Sequence, residues 1–355
     1  MCDGIGSLCW LMYVAYISTS SSTEFTHDQT TSRANTLFDD ADDIQKQLEI
    51  EAKNRFVYGS PKAIWVFHLP PKFPEGHAVT RQLSSNYLSK PDAITQRAMF
   101  NADATYDWEY AEQNNWWKKY PQCGGRSQSP VDIPVKGLIK ARRGRPLLFC
   151  NYDVPPENMT LIKDERRVTL TGFWDPKHRP LLHGGAAHSH RYVFYSLSLH
   201  WPSEHTIGNL QYPLESQALH ISAEYNTLDE AVAASRRDPL AVLGIANLYK
   251  FANKTQKGLK MLIEAASRVT LKRKGLPTKP LSYFNPPFKE YSCYHGSLTA
   301  PPCTEAVLWF VRAKALPVQR EAVESIRQIL ISDEMRKSYS RQPQPLNDRK
   351  VYFFN

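Results

Sequence analysis

Ser198-Leu199-His200 sits near the middle of the 355-residue chain and has the spacing of two metal ligands but only one imidazole. It closes Tyr192 to Trp201, a run rich in aromatic and β-branched residues that reads as a strand. Residues two apart on a strand share a face, so Ser196, Ser198 and His200 point the same way. A metal on that face calls for a second histidine at 198 and a third ligand from the neighbouring strand. After the turn chemistry of Pro202-Ser-Glu-His205 comes a second strand-like run, Tyr212-Pro-Leu-Glu-Ser-Gln-Ala-Leu-His220, in which Gln217 and His220 face opposite sides. His188 and His190 form another alternating pair, but they precede the strand and read as surface turn residues.

The elements that must position these side chains are mostly strands. From Tyr106 onward, short aromatic-rich runs are separated by Pro and Gly turns: Arg167 to Phe173, Tyr192 to Trp201, Gln217 to Ser222, Leu240 to Phe251 and Ala306 to Arg312. Helical pattern is confined to Leu228 to Ser235, Gly258 to Val269 and Arg320 to Leu330. Many strands, few helices and no βαβ rhythm predict a mainly antiparallel β domain over 106–355. There is no internal repeat and no Gly-rich phosphate loop.

Residues 23–105 differ in texture and read as an N-terminal extension, partly helical and partly irregular. Thr36 to Phe56 has helical spacing with acidic residues early and basic ones late, and the apolar run Ala63 to His68 leads into Leu-Pro-Pro-Lys-Phe-Pro. Before it, the apolar run Leu8 to Ile17 followed by Ser18 to Ser22 predicts a secretory signal over 1–22, too short to span a bilayer. Asp3 stands where a positive charge is usual, and a buried N-terminal segment is the alternative.

Composition bounds the function further. The chain is 42% hydrophobic, 12% aromatic and 22% charged, as a folded globular protein is, with a net charge of +9. None of the six cysteines (Cys2, Cys9, Cys123, Cys150, Cys293, Cys303) forms a CxxC pair, which argues against a thiolate zinc module or a thioredoxin-type site. The sequons at Asn158 and Asn253 agree with an extracellular address. Two basic clusters, Lys136 to Arg145 and Arg268 to Lys279, read as solvated loop faces, with an acidic partner such as a sulfated glycan as the sharper alternative. Neither a nucleic-acid partner nor a transmembrane span is expected.

Six pieces in order carry a family resemblance: Asp107-Trp-Glu-Tyr110, Ser127-Gln-Ser-Pro-Val-Asp-Ile133, Ser203-Glu-His-Thr206, Leu240-Ala-Val-Leu-Gly-Ile245, Tyr294 to Glu305 (YHGSLTAPPCTE) and Gln344-Pro-Leu-Asn-Asp-Arg349. From Trp108 to Asn355 the chain resembles the α-class carbonic anhydrases, and their catalytically silent relatives in particular. The resemblance implies a central twisted sheet of about ten strands, mostly antiparallel, with short peripheral helices. It also implies a Zn²⁺ on three neutral imidazoles with one open position, where bound water loses its proton near neutral pH; this family is the standard instance of that chemistry.

In this chain the implied ligand positions read Ser198, His200 and Gln217, of which only His200 is competent. A short hydroxyl and a neutral amide are poor donors for a borderline-soft ion, so no zinc is expected, and cofactors are none unless a weakly active zinc enzyme survives. A shifted register that brought His220 to the third position would still leave only two ligands, His200 and His220. In Ile162 to Val168, read as the strand before the ligand strand, Arg166 falls near the family's proton-shuttle position, and a guanidinium cannot relay protons near pH 7. Glu204, His205 and Thr299 match the frame that orients the zinc-bound water; without a metal they read as a vestige, buried polar groups that satisfy one another. Leu219, Val242, Leu298 and Trp309 match the apolar wall of the family's substrate pocket and read here as plain core, with a persisting pocket as the alternative. Cys123 and Cys303 coincide with the disulfide of extracellular members, worth roughly 3–5 kcal/mol by loop entropy, and Cys150 and Cys293 are left as buried free thiols. The expected function is a secreted pseudoenzyme acting as a binding or scaffold module for a protein or acidic glycan; the alternative is zinc-dependent CO2 hydration, weak or altered.

Overall fold

The computed structural model describes residues 107–141, 145–164, 166–269, 272–330 and 339–355. The expected signal segment, the extension and its helix over Thr36 to Phe56 lie outside the described residues. Ten strands form the unbroken path of the main sheet. They are β1 (Ile139–Lys140), β2 (Asn158–Lys163), β3 (Val168–Phe173), β4 (Tyr192–His200), β5 (Leu214–Ser222), β6 (Val242–Phe251), β7 (Arg273–Leu276), β8 (Tyr291–Gly296), β9 (Val307–Arg312) and β10 (Tyr352–Phe354). Their spatial order is β7-β2-β3-β4-β5-β6-β9-β8-β10-β1, and three short strands attached at the sides bring the sheet to 13. Pairing is antiparallel except at β6–β9, β10–β1 and the side strand Leu316–Val318 against β6. The family-implied sheet is therefore present among the described residues.

Among the described residues three α-helices of six residues or more flank the sheet: α1 (Leu228–Ala233), α2 (Lys257–Ser267) and α3 (Arg320–Leu330). Each α2 turn places apolar residues on one side, so Leu259, Leu262, Ile263 and Ala266 enter the same core cluster as Val323, Ile326 and Leu330 of α3. The Gln256 side chain caps α2 by accepting from the Leu259 N–H at 2.6 Å. Among the described residues, no helix is long and apolar enough to cross a membrane.

The central strands are buried on both faces, which is why they read as near-continuous apolar runs rather than clean alternations. β4 also changes phase along its length. Leu219 of β5 pairs with Ser196 but His220 pairs with Phe194, so Tyr195 is an extra residue. This bulge puts Ser196, Ser198 and His200 on one face while Phe194, Leu197 and Leu199 join the core on the other.

One expected element is wrong. Ile162 to Val168 is not a single strand: β2 ends at Lys163 and β3 begins at Val168, with a turn between them. Asp164 makes the turn, its Oδ1 accepting from the N–H groups of Arg166 and Arg167 at 2.8 and 2.9 Å. The guanidinium of Arg166 is buried, over the Trp108 ring at 5.1 Å and 2.5 Å from Glu109 Oε1.

Candidate functional site

The site is built where β4 and β5 lie side by side. Their register sets Glu215 opposite His200 and Gln217 opposite Ser198, so all three expected ligand positions converge on one face. His220 does not join them. It lies on the other face, buried, with its Nε2 2.6 Å from the Tyr152 hydroxyl and its Nδ1 3.1 Å from the Ala218 carbonyl oxygen. The shifted register that would have made it a ligand is not adopted. Burial holds its pKa down at about 3, so His220 is a neutral core histidine. His188 and His190 are exposed in the turn before β4, as expected.

A closed hydrogen-bond system occupies the converging positions. His200 has Ser198 Oγ at 2.9 Å on Nε2 and Glu204 Oε1 at 3.4 Å on Nδ1. Gln217 Nε2 donates to Glu204 Oε2 at 2.7 Å and to Glu215 Oε1 at 2.9 Å, and its Oε1 accepts from the Thr299 hydroxyl at 3.3 Å. Glu215 Oε2 accepts from the backbone N–H groups of Glu204 and His205 at 2.9 and 2.8 Å, which fixes the turn between the strands. His205 spans Glu215 Oε1 at 2.8 Å and the Tyr294 hydroxyl at 2.7 Å.

Glu204, His205 and Glu215 are fully buried, so this network sits in a medium where an unpaired charge is costly. Burial alone would push the His200 pKa down, but the Glu204 carboxylate outweighs it and holds the pKa above the ordinary histidine value. Burial likewise opposes ionisation of Glu215, yet His205 and Gln217 hold its carboxyl below the ordinary range.

Whether zinc fits these residues is a question of donors. A tetrahedral site needs three nitrogen or sulfur ligands and an open position, whereas this face supplies one imidazole, one hydroxyl and one carboxamide. Both nitrogens of that imidazole are engaged, one by a hydroxyl and one by a carboxylate. Among the described residues, no group of three or more His, Cys, Asp or Glu could hold a metal ion. The donor set does not fit the ion.

The four residues matched to the family's apolar wall lie together in the core. Val242 and Trp309 are fully buried in one cluster, with Leu219 and Leu298 packed against it half-buried. Cys123 and Cys303 are bonded across 180 residues with Cα atoms 4.9 Å apart, and Cys150 and Cys293 are buried thiols outside that bridge, with Cys150 Sγ 3.6 Å from His183 Nε2.

Sequence reasoning missed Arg341. Its backbone N–H donates to Glu204 Oε1 at 2.9 Å, while its buried guanidinium donates to Gln128 Oε1, Ser129 O and Cys123 O at 3.0, 2.8 and 3.3 Å. Burial lowers its pKa to about 10, and Glu204 opposes that fall. Tyr294 and Ser129, 2.9 Å apart, extend the network. Arg341 joins the site through its backbone N–H, and no side-chain pattern signals such a contact.

Known proteins agree with this architecture. The family profile described as eukaryotic-type carbonic anhydrase matches residues 111–355. The chain is 29% identical over 262 residues to carbonic anhydrase 3 of Homo sapiens, covering 69% of this chain and 97% of that protein. It is 28% identical to carbonic anhydrase 3 of Rattus norvegicus over 261 residues, with the same coverage, and 28% identical to carbonic anhydrase 1 of Monodelphis domestica over 265 residues, covering 70% and 98%. A family profile that matches most of the chain, on a sheet of this order, places it: the chain belongs to the eukaryotic-type carbonic anhydrase family.

Proposed function

We propose that this family member does not hydrate CO2 and acts as a secreted binding module. The observation that carries the reading is Gln217. At the third ligand position, where the family's chemistry needs a lone pair aimed at zinc, it presents a carboxamide whose N–H groups point at two buried carboxylates. Ser198 adds a hydroxyl that closes on His200 instead of a second imidazole. In this reading Glu204, His205 and Thr299 keep two strands in register and serve no bound water.

Secretion is supported by the Cys123–Cys303 disulfide and by the exposure of Asn158 and Asn253 at the two sequons. The proposed organisation is a signal segment over 1–22, an extension over 23–105 and the family domain over 106–355. Metal analysis of the purified protein, with a CO2 hydration assay in added Zn²⁺, tests the reading. Substoichiometric zinc and no turnover are expected. Stoichiometric zinc with sulfonamide-inhibitable turnover would establish the competing reading, a zinc-dependent carbonate dehydratase of weak or altered activity.

A further inference from the structure

We propose that Asn253 carries an N-linked glycan whose first sugar packs on the exposed ring of Phe251, so that the glycan is part of the folded surface. The proposal goes beyond the function above and rests on the secretion in that reading. Phe251 is the last residue of β6 and is 43% exposed, one of three large apolar side chains so placed among the described residues. Tyr249, two residues earlier and on the same side of the strand, is buried in the core, whereas Phe251 lies past the core's edge. One face of its ring is in use: the Arg320 guanidinium carbon lies over it, 4.2 Å from the ring centroid. The remaining surface of the ring is a platform for a second apolar contact.

The sequence places the sequon directly after that platform, as Phe251-Ala-Asn253-Lys-Thr255. Ala252 continues the strand by donating its N–H to the Val318 carbonyl at 2.9 Å. Residues two apart along extended backbone share a side at a spacing of roughly 6.6 Å, which brings the Asn253 side chain alongside Phe251. An asparagine with one pyranose attached spans that gap. The pyranose face that carries axial C–H bonds is apolar, and its slightly positive hydrogens suit the negative face of an aromatic ring. The loop is held ready for the contact. Gln256 donates its N–H to the Pro317 carbonyl at 2.9 Å, and the Thr255 hydroxyl accepts from the Gln319 N–H at 3.1 Å and donates to Gln319 Oε1 at 3.3 Å. Asn253 and Lys254 form an exposed bend between these anchors, so ordering the first sugar there costs little further entropy. In the transfer itself, Asn253 Nδ2 bonds to the anomeric carbon of the sugar as the bond from that carbon to the diphosphate of a polyprenol-linked oligosaccharide breaks. The diphosphate leaves with the bonding pair, and the carboxamide nitrogen loses one proton.

The test uses the full-length protein expressed in eukaryotic cells and collected from the medium. Glycopeptide mass spectrometry should find Asn253 occupied. Thermal melts then compare the intact protein, the protein trimmed by an endoglycosidase to the first sugar, and the protein stripped of whole glycans by an amidase. The first two should melt together, and full removal should lower the melting temperature by about 2–4 °C, the scale of one such contact in a domain of this size. Asn253→Gln should produce the same fall in the wild type and no further fall in a Phe251→Ala background, as coupled neighbours do in a double-mutant cycle. Circular dichroism checks that the variants fold, and the enzymatic comparison on the wild type decides the matter where one does not. Equal melting of intact and stripped protein, a full loss already at the trimmed stage, or additive losses in the cycle would each overturn the proposal. So would an empty Asn253 beside an occupied Asn158, which leaves the secretion reading standing. No protein in the medium and both sequons empty would refute the secretion reading and this proposal with it.

Discussion

Replacing Gln217 by leucine removes a side chain that joins both buried carboxylates. Glu215 would keep two backbone N–H donors and His205, so its loss is partial. Glu204 fares worse: Oε1 keeps the Arg341 N–H and His200, while Oε2 loses the Gln217 amide. A hydrogen bond to a charged group contributes about 1.5–3 kcal/mol, and the second amide bond and the longer Thr299 contact each add less. Gln217→Leu should therefore destabilise the domain by about 3–5 kcal/mol, with the leucine's similar bulk keeping the cavity term small. At about 2–4 °C per kcal/mol for a domain of this size, the melting temperature should fall by about 10 °C. Thr299→Val, which removes only the 3.3 Å contact, is the internal reference at about 1 kcal/mol. Equilibrium urea unfolding of the three proteins supplies the comparison. If Gln217→Leu costs no more than Thr299→Val, the carboxamide is not what holds the two carboxylates, and the account of this network is wrong.

Three further outcomes follow from the same geometry. Ser198→His with Gln217→His restores three imidazoles on one face, with Glu215 Oε1 placed to orient the ring at 217, so the double variant should bind zinc stoichiometrically. Zinc at a hundredfold excess over Kd should then raise its stability by about 2.7 kcal/mol in calorimetry, and a flat response would mean that the β4–β5 register is wrong. Opening the Cys123–Cys303 bridge by Cys→Ser at both positions should cost about 5 kcal/mol by loop entropy over 180 residues, read as a fall in the urea midpoint. His220 should create an acid limb in stability. Its pKa of about 3 in the fold lies below the ordinary 6.5, so from pH 6.5 downward the unfolded chain binds a proton that the native state refuses. Stability should fall by up to about 1.4 kcal/mol per pH unit from this group, and His220→Gln should flatten that limb in a pH series of thermal melts.

The site was legible in the sequence to the extent that it depends on strand parity. Ser198 and His200 share a face because residues two apart do on a regular strand, whereas Gln217, on the neighbouring strand, was placed by family order, as were Glu204, His205 and Thr299. The strands in the interior were also legible, since burial on both faces leaves an apolar run with turn residues at each end. Legibility failed where local and global signals diverge. Ile162 to Val168 contains apolar residues at both ends and reads as continuous, but Asp164 folds its own carboxylate onto two following N–H groups and breaks the run. The bulge at Tyr195 is invisible because an extra residue costs a strand no change in composition; it shows only as the register between Leu219 and His220.

Arg341 marks the deeper limit. It reaches Glu204 from 137 residues away through its backbone N–H, so its identity carries no information about that bond. Its side chain matters elsewhere, binding Gln128, Ser129 and Cys123 next to the disulfide. One residue thus ties the carboxylate frame to the segment that the Cys123–Cys303 bridge closes. The frame has a structural task independent of any metal, which gives a physical reason for two buried carboxylates to persist beside a serine and a glutamine. Removing Glu204 would leave the Arg341 N–H, the His200 ring and the Gln217 amide without their shared acceptor, three losses for one substitution. A carboxylate so embedded is expensive to replace, because each of its partners would be left buried without an acceptor.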